Sequence, residues 1–269
     1  MADNYLITGY WGEPHVTAEN DRGINAAMFG TGKYILPVGE QFRAAYIGNN
    51  IIRVYDGKLI DNGAVAGIPA GEYVDLLIAN AGQGMKRNDL IVFQYEQDAS
   101  TLIESGKFVV IQGTETSGTA SDPALTQADL LSGNATLDQM ALWRVAVSGT
   151  TISTPTRVRE VEWSNPPLEL GVEYRTTERW KGRAVYTKLI DSGALPNNTS
   201  KSVATNITGF TGLVSISGAV MSGDSYNPIN IIGDITDVWL NSTGTALSIK
   251  TKADLSSRSA SICIKYTKG

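Results

Sequence analysis

The 269 residues carry a formal net charge of −5, with 42% hydrophobic and 18% charged side chains. That balance excludes a disordered polymer, because enough apolar surface is present to offset the entropy of ordering. The acidic charge, spread over both halves, leaves no basic face for a nucleic-acid partner.

No apolar run approaches the roughly 20 residues of a membrane span, so no membrane insertion is expected. The start, Met1 to Ile7, lacks the basic region and apolar core of a signal peptide, and synthesis in the cytoplasm without a leader is expected. The sequons at Asn198, Asn206 and Asn241 then stay unmodified and serve as polar turns. Cys263 is the only cysteine, which excludes a disulfide within the chain, and in Ser-Ile-Cys-Ile-Lys-Tyr it reads as strand core.

In chain order, the first element is a short helix that Thr17 caps and that runs towards Ala27, with Gly30 to end it. Short strand-like runs follow at 33–38, 42–47, 51–55 and 58–60. Asn49-Asn50 and Asp56-Gly57 between them carry the chemistry of primed hairpin turns. Strands are expected again around 71–78, 90–95, 108–112 and 140–147. A second short helix is expected from near Thr126, bracketed by Asp122-Pro123 and Gly133. This gives a β-rich domain over residues 1–149 with one or two short helices.

Residues 150–181 hold Pro155, Pro166 and Pro167 and no sustained period, which reads as a connector. Trp163, Leu168, Leu170, Tyr174 and Trp180 are too apolar for a freely solvated linker, so a self-associating, trimerising stalk is expected there. From 182 to 269 alternating runs and turns at Pro196-Asn-Asn, Ser222-Gly-Asp and Ser242-Thr-Gly predict an antiparallel β-sandwich. The fold class is therefore mainly β.

The inventory for catalysis is poor. His15 is the only histidine, which disfavours Ser-His-Asp or Cys-His devices and multi-histidine zinc sites. Asp56, Asp61, Asp89 and Asp98 sit where turns are expected and read as turn formers before a glycosidase pair. Gly82-Gln-Gly84 followed by Lys86 lacks the spacing of a phosphate-binding loop, and no Asp-x-Asp-x-Asp-Gly calcium loop is present. No catalytic residue, metal or cofactor is expected. Sugars present apolar faces and hydroxyls together, so aromatic rings beside amides and carboxylates on loops are the binding candidates. These are Asp224, Tyr226 and Asn227, with Trp239 and Asn241 second.

Several motifs carry a resemblance. Val16-Thr-Ala, Ala26-Ala-Met-Phe-Gly, Tyr34-Ile-Leu-Pro-Val-Gly, Ile52-Arg-Val-Tyr-Asp-Gly, Gly84-Met-Lys-Arg-Asn-Asp-Leu-Ile-Val and Gln139-Met-Ala-Leu-Trp-Arg-Val, across about residues 10–150, resemble the amino-terminal region of tail proteins from phages and prophages of Gram-positive bacteria. Trp180-Lys-Gly-Arg-Ala-Val-Tyr-Thr-Lys-Leu-Ile-Asp-Ser-Gly-Ala-Leu-Pro-Asn-Asn-Thr, Ser215-Ile-Ser-Gly and Ile264-Lys-Tyr-Thr are similar to tail-fibre head domains. The resemblance implies a homotrimeric virion component, not an enzyme. Its first module attaches to other tail or baseplate proteins, and its last contacts a host cell-surface polysaccharide or teichoic acid. It assigns no residue-level site. A glycan hydrolase on the same scaffold and a purely structural baseplate spacer are the alternatives.

Overall fold

A computed structural model describes residues 17–132, 135–223, 225–229 and 232–269. The chain is mainly β and divides into two compact units, Met1–Val161 and Glu162–Gly269.

The first unit opens with α1 (Ala18–Phe29). Thr17 has extended backbone and its Oγ1 accepts from the Asn20 N–H at 3.2 Å, while Glu19 and Asp21 oppose the positive end of the helix dipole. Gly30, at φ +88°, stops the helix and returns its N–H to the Ala26 carbonyl at 2.8 Å. The helix is fixed to the sheets by polar contacts. Buried Arg22 pairs with Glu104 at 2.8 Å, and the Asn25 amide donates to the Gly63 carbonyl at 3.1 Å.

Four antiparallel strands follow: β1 (Lys33–Ile35), β2 (Ala44–Tyr46), β3 (Ile51–Asp61) and β4 (Ala64–Leu77), with β1 and β2 on one side of β3 and β4 on the other. Asn49 and Asn50 both have positive φ and turn the β2–β3 hairpin as expected. Asp56-Gly57 does not turn. It lies inside β3 at a bulge, and Gly57 is required because a Cβ there would stand 2.7 Å from the Phe42 backbone nitrogen. The two runs read as separate strands both pair with β4, so one long strand replaces a hairpin.

The second sheet of this unit comprises β5 (Lys86–Gln97), β6 (Glu104–Ile111), β7 (Leu137–Ser148), β8 (Thr151–Ile152) and β9 (Thr156–Arg157), in the order β6-β5-β7-β8 with β9 also on β7. Ile52, Val54 and Leu59 from the first sheet pack with Ile91, Phe93, Met140, Leu142 and Val145 from the second in one core. The Trp143 indole N–H, inside that core, donates to the Phe42 carbonyl at 2.8 Å. The second helix expected near Thr126 is not formed; only Leu130–Ser132 makes a 3₁₀ turn. The Thr126 and Ala128 N–H groups are claimed instead by the side chains of Gln139 and Asp138 on β7, at 3.0 and 2.7 Å.

The second unit contains β10 (Glu173–Trp180), β11 (Arg183–Ala194), β12 (Ser200–Ala204), β13 (Phe210–Ser222), β14 (Ser225–Pro228), β15 (Ile235–Leu240), β16 (Ala246–Thr251) and β17 (Ser259–Lys268). They form a five-stranded sheet, β10-β11-β17-β13-β14, and a three-stranded sheet, β12-β16-β15. Ile190, Val220, Ile262, Ile264 and Tyr266 from the first meet Leu247 and Ile249 from the second, giving a sandwich-like core. Cys263 is not core. Ile262 and Ile264 point inwards, so Cys263 between them faces outwards, half-buried, beside the Thr187 hydroxyl at 3.2 Å.

The stretch read as a connector is divided between the two units. Residues 162–181 fold into the second: Glu162, almost fully buried, pairs with Arg175 and Arg179 at 2.8 Å each, and the Trp163 ring meets Tyr174 edge-on.

The buried Arg87–Asp89 pair holds the start of β5. Arg87 donates to both Asp89 oxygens and to the Ala79 and Asn80 carbonyls, and Asp89 accepts from the Gly113 N–H. Replacing Arg87 with Met strands a buried carboxylate, and urea unfolding should register a loss of about 3–5 kcal/mol. A loss under about 1 kcal/mol would show that the pair is not needed.

Candidate functional site

The outward face of the three-stranded sheet is built by alternation. Val238, Leu240, Leu247 and Ile249 turn into the core, so Asp237 and Trp239 on β15, Ser248 and Lys250 on β16, and Ser200 and Ser202 on β12 turn away from it. The register aligns them in two rows across the sheet. Trp239 stands opposite Ser248, which stands opposite Ser202; Asp237 stands opposite Lys250, which stands opposite Ser200. The Ser202 and Ser248 hydroxyls are 2.9 Å apart. Trp239 is 42% exposed and stands in one row with the two hydroxyls, with an acid and a base in the adjacent row. An aromatic surface beside such groups can stack on the apolar face of a pyranose while its hydroxyls are hydrogen-bonded.

Asn241 follows Trp239 directly after β15, and its side chain is committed to the turn. Its Oδ1 accepts from the Ala246 N–H at 3.1 Å and its Nδ2 donates to Thr245 Oγ1 at 3.0 Å. Tyr226, 69% exposed, and exposed Asn227 lie on β14, the edge of the other sheet. Tyr226 stands opposite Met221 there, on the face that also carries Ser217 and Cys263. Tyr226 and Trp239 thus occupy opposite outer faces of the sandwich and do not form one site. Asp224 and His15 lie outside the described residues.

Three of the four aspartates read as turn formers are buried strand residues: Asp56, Asp61 and Asp89. Only Asp98 makes a turn, its Oδ1 accepting from the Ser100 hydroxyl and from the Thr101 and Ser100 N–H groups, which hold its carboxyl far below the usual range. Alternation hid the others, because a single buried Asp in an apolar strand looks like a hairpin residue until its partner is known. For Asp61 the partners are Asp138, Lys33 and the Asn62 amide, which donates to its Oδ1 at 3.0 Å. Lys33 Nζ lies 3.4 Å from Asp61 and bonds Asp138, whose other oxygen accepts from Ala128 N–H at 2.7 Å. Burial first, and then the hydrogen bond with Asp138, pushes the Asp61 carboxyl up to about 7. Burial opposes ionisation of Asp138 too, yet hydrogen bonds with Asp61, Lys33 and Ala128 hold it below its ordinary value. The two shifts run in opposite directions, so Asp61 is the member of the pair that favours its proton. Both carboxyl groups are wholly buried, so no glycosidic bond can reach them.

A cavity of about 780 Å³ in the first unit, walled by Ile68, Pro69, Tyr73, Phe93 and Phe108, has Glu72 and Lys107 as its only ionisable side chains besides the tyrosine. At Gly82-Gln-Gly84 the Gly82 N–H already donates to Glu115 at 3.2 Å, so a carboxylate occupies the donor a phosphate would need. Among the described residues no group of three or more His, Cys, Asp or Glu side chains is placed to hold a metal ion. No protein-family model matches the chain, and no curated protein matches it.

The Asp61 pair gives a pH dependence with a definite sign. Folded, Asp61 keeps its proton up to about 7, whereas unfolded it loses it near 3.8. Its contribution to stability is complete below the unfolded value and is lost as pH rises through the folded one. In thermal melts across that window, the Asp61→Asn variant, which carries a permanent donor for Asp138, should lose less stability with rising pH than the parent. Parallel curves would overturn the raised Asp61 carboxyl.

Proposed function

We propose that this chain is a binding and assembly component of a bacteriophage or prophage tail, a homotrimer whose second unit recognises a polysaccharide or teichoic acid on the host surface. The observation that carries the binding part is the Trp239 face: an exposed indole beside serine hydroxyls, Asp237 and Lys250, on strands held rigid by the core behind them. Attachment of the first unit to tail or baseplate proteins, and the virion as destination, rest on the motif resemblance. A flat site of this kind binds one sugar weakly. Several copies on one particle convert later contacts into intramolecular ones, which raises avidity without a tight single site.

Self-association is supported by the opposite face. Met221 and Tyr226 are exposed there beside the small side chains of Ser217, Ala219 and Cys263, so another copy can approach closely. A binding role is favoured over hydrolysis because, among the described residues, the strands of the sugar-accessible face turn a single carboxylate outwards, Asp237, and the Asp61–Asp138 carboxyl pair is buried.

In solid-phase binding to purified cell-wall polysaccharide from a panel of Gram-positive bacteria, Trp239→Ala should weaken the retained interaction at least tenfold, about 1.4 kcal/mol, with an unchanged melting temperature. Tyr226→Ala should leave the sugar affinity of each chain unchanged. Equal binding by the Trp239 variant and the parent would remove this face from recognition; absence of binding across the panel would favour the spacer role. Light scattering on the full chain should return the mass of a trimer, and a monomer at high concentration would sink the fibre reading.

A further inference from the structure

Lys188 on β11 is a lysine in an unusual position. It lies on the core side of the five-stranded sheet, opposite Ile264, and is only 7% exposed. Among the described residues it forms no ion pair; its Nζ has one hydrogen bond, a long one of 3.4 Å to the Asn206 carbonyl. An ammonium has three N–H donors, and burying one without a counter-charge is costly. The acid paired with it across the strands does not bond it. Glu173 stands directly across on β10, but its carboxylate is engaged by the Tyr266 hydroxyl and Lys268.

This ammonium lines a cavity of about 360 Å³ with Leu170, Gly171, Ile190, Asp191, Thr205 and Asn206. That volume is at the lower end of small-molecule pockets, which run to roughly 300–1,000 Å³. The Thr205 hydroxyl is spent on the Gly244 carbonyl and the Ile207 N–H. The Asn206 amide, held at φ +52°, makes no side-chain hydrogen bond among the described residues, and exposed Asp191 uses only Oδ1, on the Gly193 N–H at 2.8 Å. The cavity therefore offers a buried cation, an uncommitted amide and one carboxylate oxygen.

We propose that the Lys188 cavity is a subsite for an anionic polyol, its phosphate or carboxylate seated on Lys188 Nζ and Asn206 and its hydroxyls donating to Asp191. A bare anion satisfies Lys188 but meets Asp191 unfavourably, and a neutral polyol leaves Lys188 without a counter-charge; only a molecule with both groups matches both. The cavity deepens the adhesion reading, on which it rests for its source: a polyol-phosphate polymer and a uronic-acid polysaccharide present the same chemistry.

The test is isothermal titration of the full chain with glycerol 3-phosphate, glucuronate, glycerol and inorganic phosphate. One or both of the first two should bind at least tenfold more tightly than glycerol or inorganic phosphate, and which one binds identifies the source. Lys188→Met should abolish binding while the chain stays folded, since the thioether fills the same space without a buried charge. Asn206→Asp, which tolerates the same backbone and adds a negative charge, should weaken it at least tenfold. Binding of these probes without any cell adhesion would uphold the subsite and reject the adhesion reading. Failure of both anionic polyols to bind, equal binding of glycerol, or undiminished binding by Lys188→Met would overturn it.

Discussion

Antiparallel register is the constraint on which both the core and the displayed surface depend. Successive side chains in a strand point to opposite faces, so the pairing that sends Leu247 and Ile249 inwards necessarily sends Ser248 and Lys250 outwards. A slip of one residue would reverse both sets. It would bury the Asp237–Lys250 row and expose Leu247 and Ile249, and the cost of burying those charges is what pins the register. The Trp239 face is thus a by-product of core formation: its rows are aligned by the same hydrogen bonds that close the sandwich.

What was legible in the sequence follows from how far each signal reaches along the chain. Thr17 and Gly30 act within one helical turn, and Asn49-Asn50 within one hairpin, so α1 and the β2–β3 turn could be placed from local chemistry. Asp56-Gly57 carries the same local signal, yet the outcome there is decided by Phe42, which needs close approach to Gly57. Residues 126–133 have adequate helical character but compete with Gln139 and Asp138, which capture their N–H groups from a neighbouring strand. Of the site, the aromatic candidates were visible as residue types. The grouping of Trp239 with Ser248 and Ser202, its separation from Tyr226, and the burial of Lys188 depend on pairings between strands distant in sequence, which local pattern does not specify.

Buried charge sorts the structural from the unresolved. Arg87 is surrounded by two Asp89 oxygens, Glu115 and two carbonyls, so its burial closes on itself and orders the loop before β5. Lys33 lies against both carboxyl groups of the Asp61–Asp138 pair, and burial favours the protonated form of Asp61. Glu162 has two arginines. Lys188 has one long contact to a carbonyl. Unlike Arg87, Glu162 and the Asp61–Asp138 pair, Lys188 forms no ion pair among the described residues, and it lies at a cavity, where a ligand can supply the missing counter-charge.

The opposed faces of the second unit make the proposed assembly compatible with the proposed recognition. A surface that packs against another copy is lost to any outside ligand, so a self-associating adhesin must keep the two functions on separate faces. Here the small side chains around Met221 and Tyr226 lie on one sheet and the Trp239 rows on the other, with the core between them. In the proposed homotrimer, contact through the first face leaves the second displayed on every copy. Repetition then does what a deep pocket does elsewhere: the affinity of one shallow indole platform need only be modest, because a particle held by one chain presents the next at high local concentration.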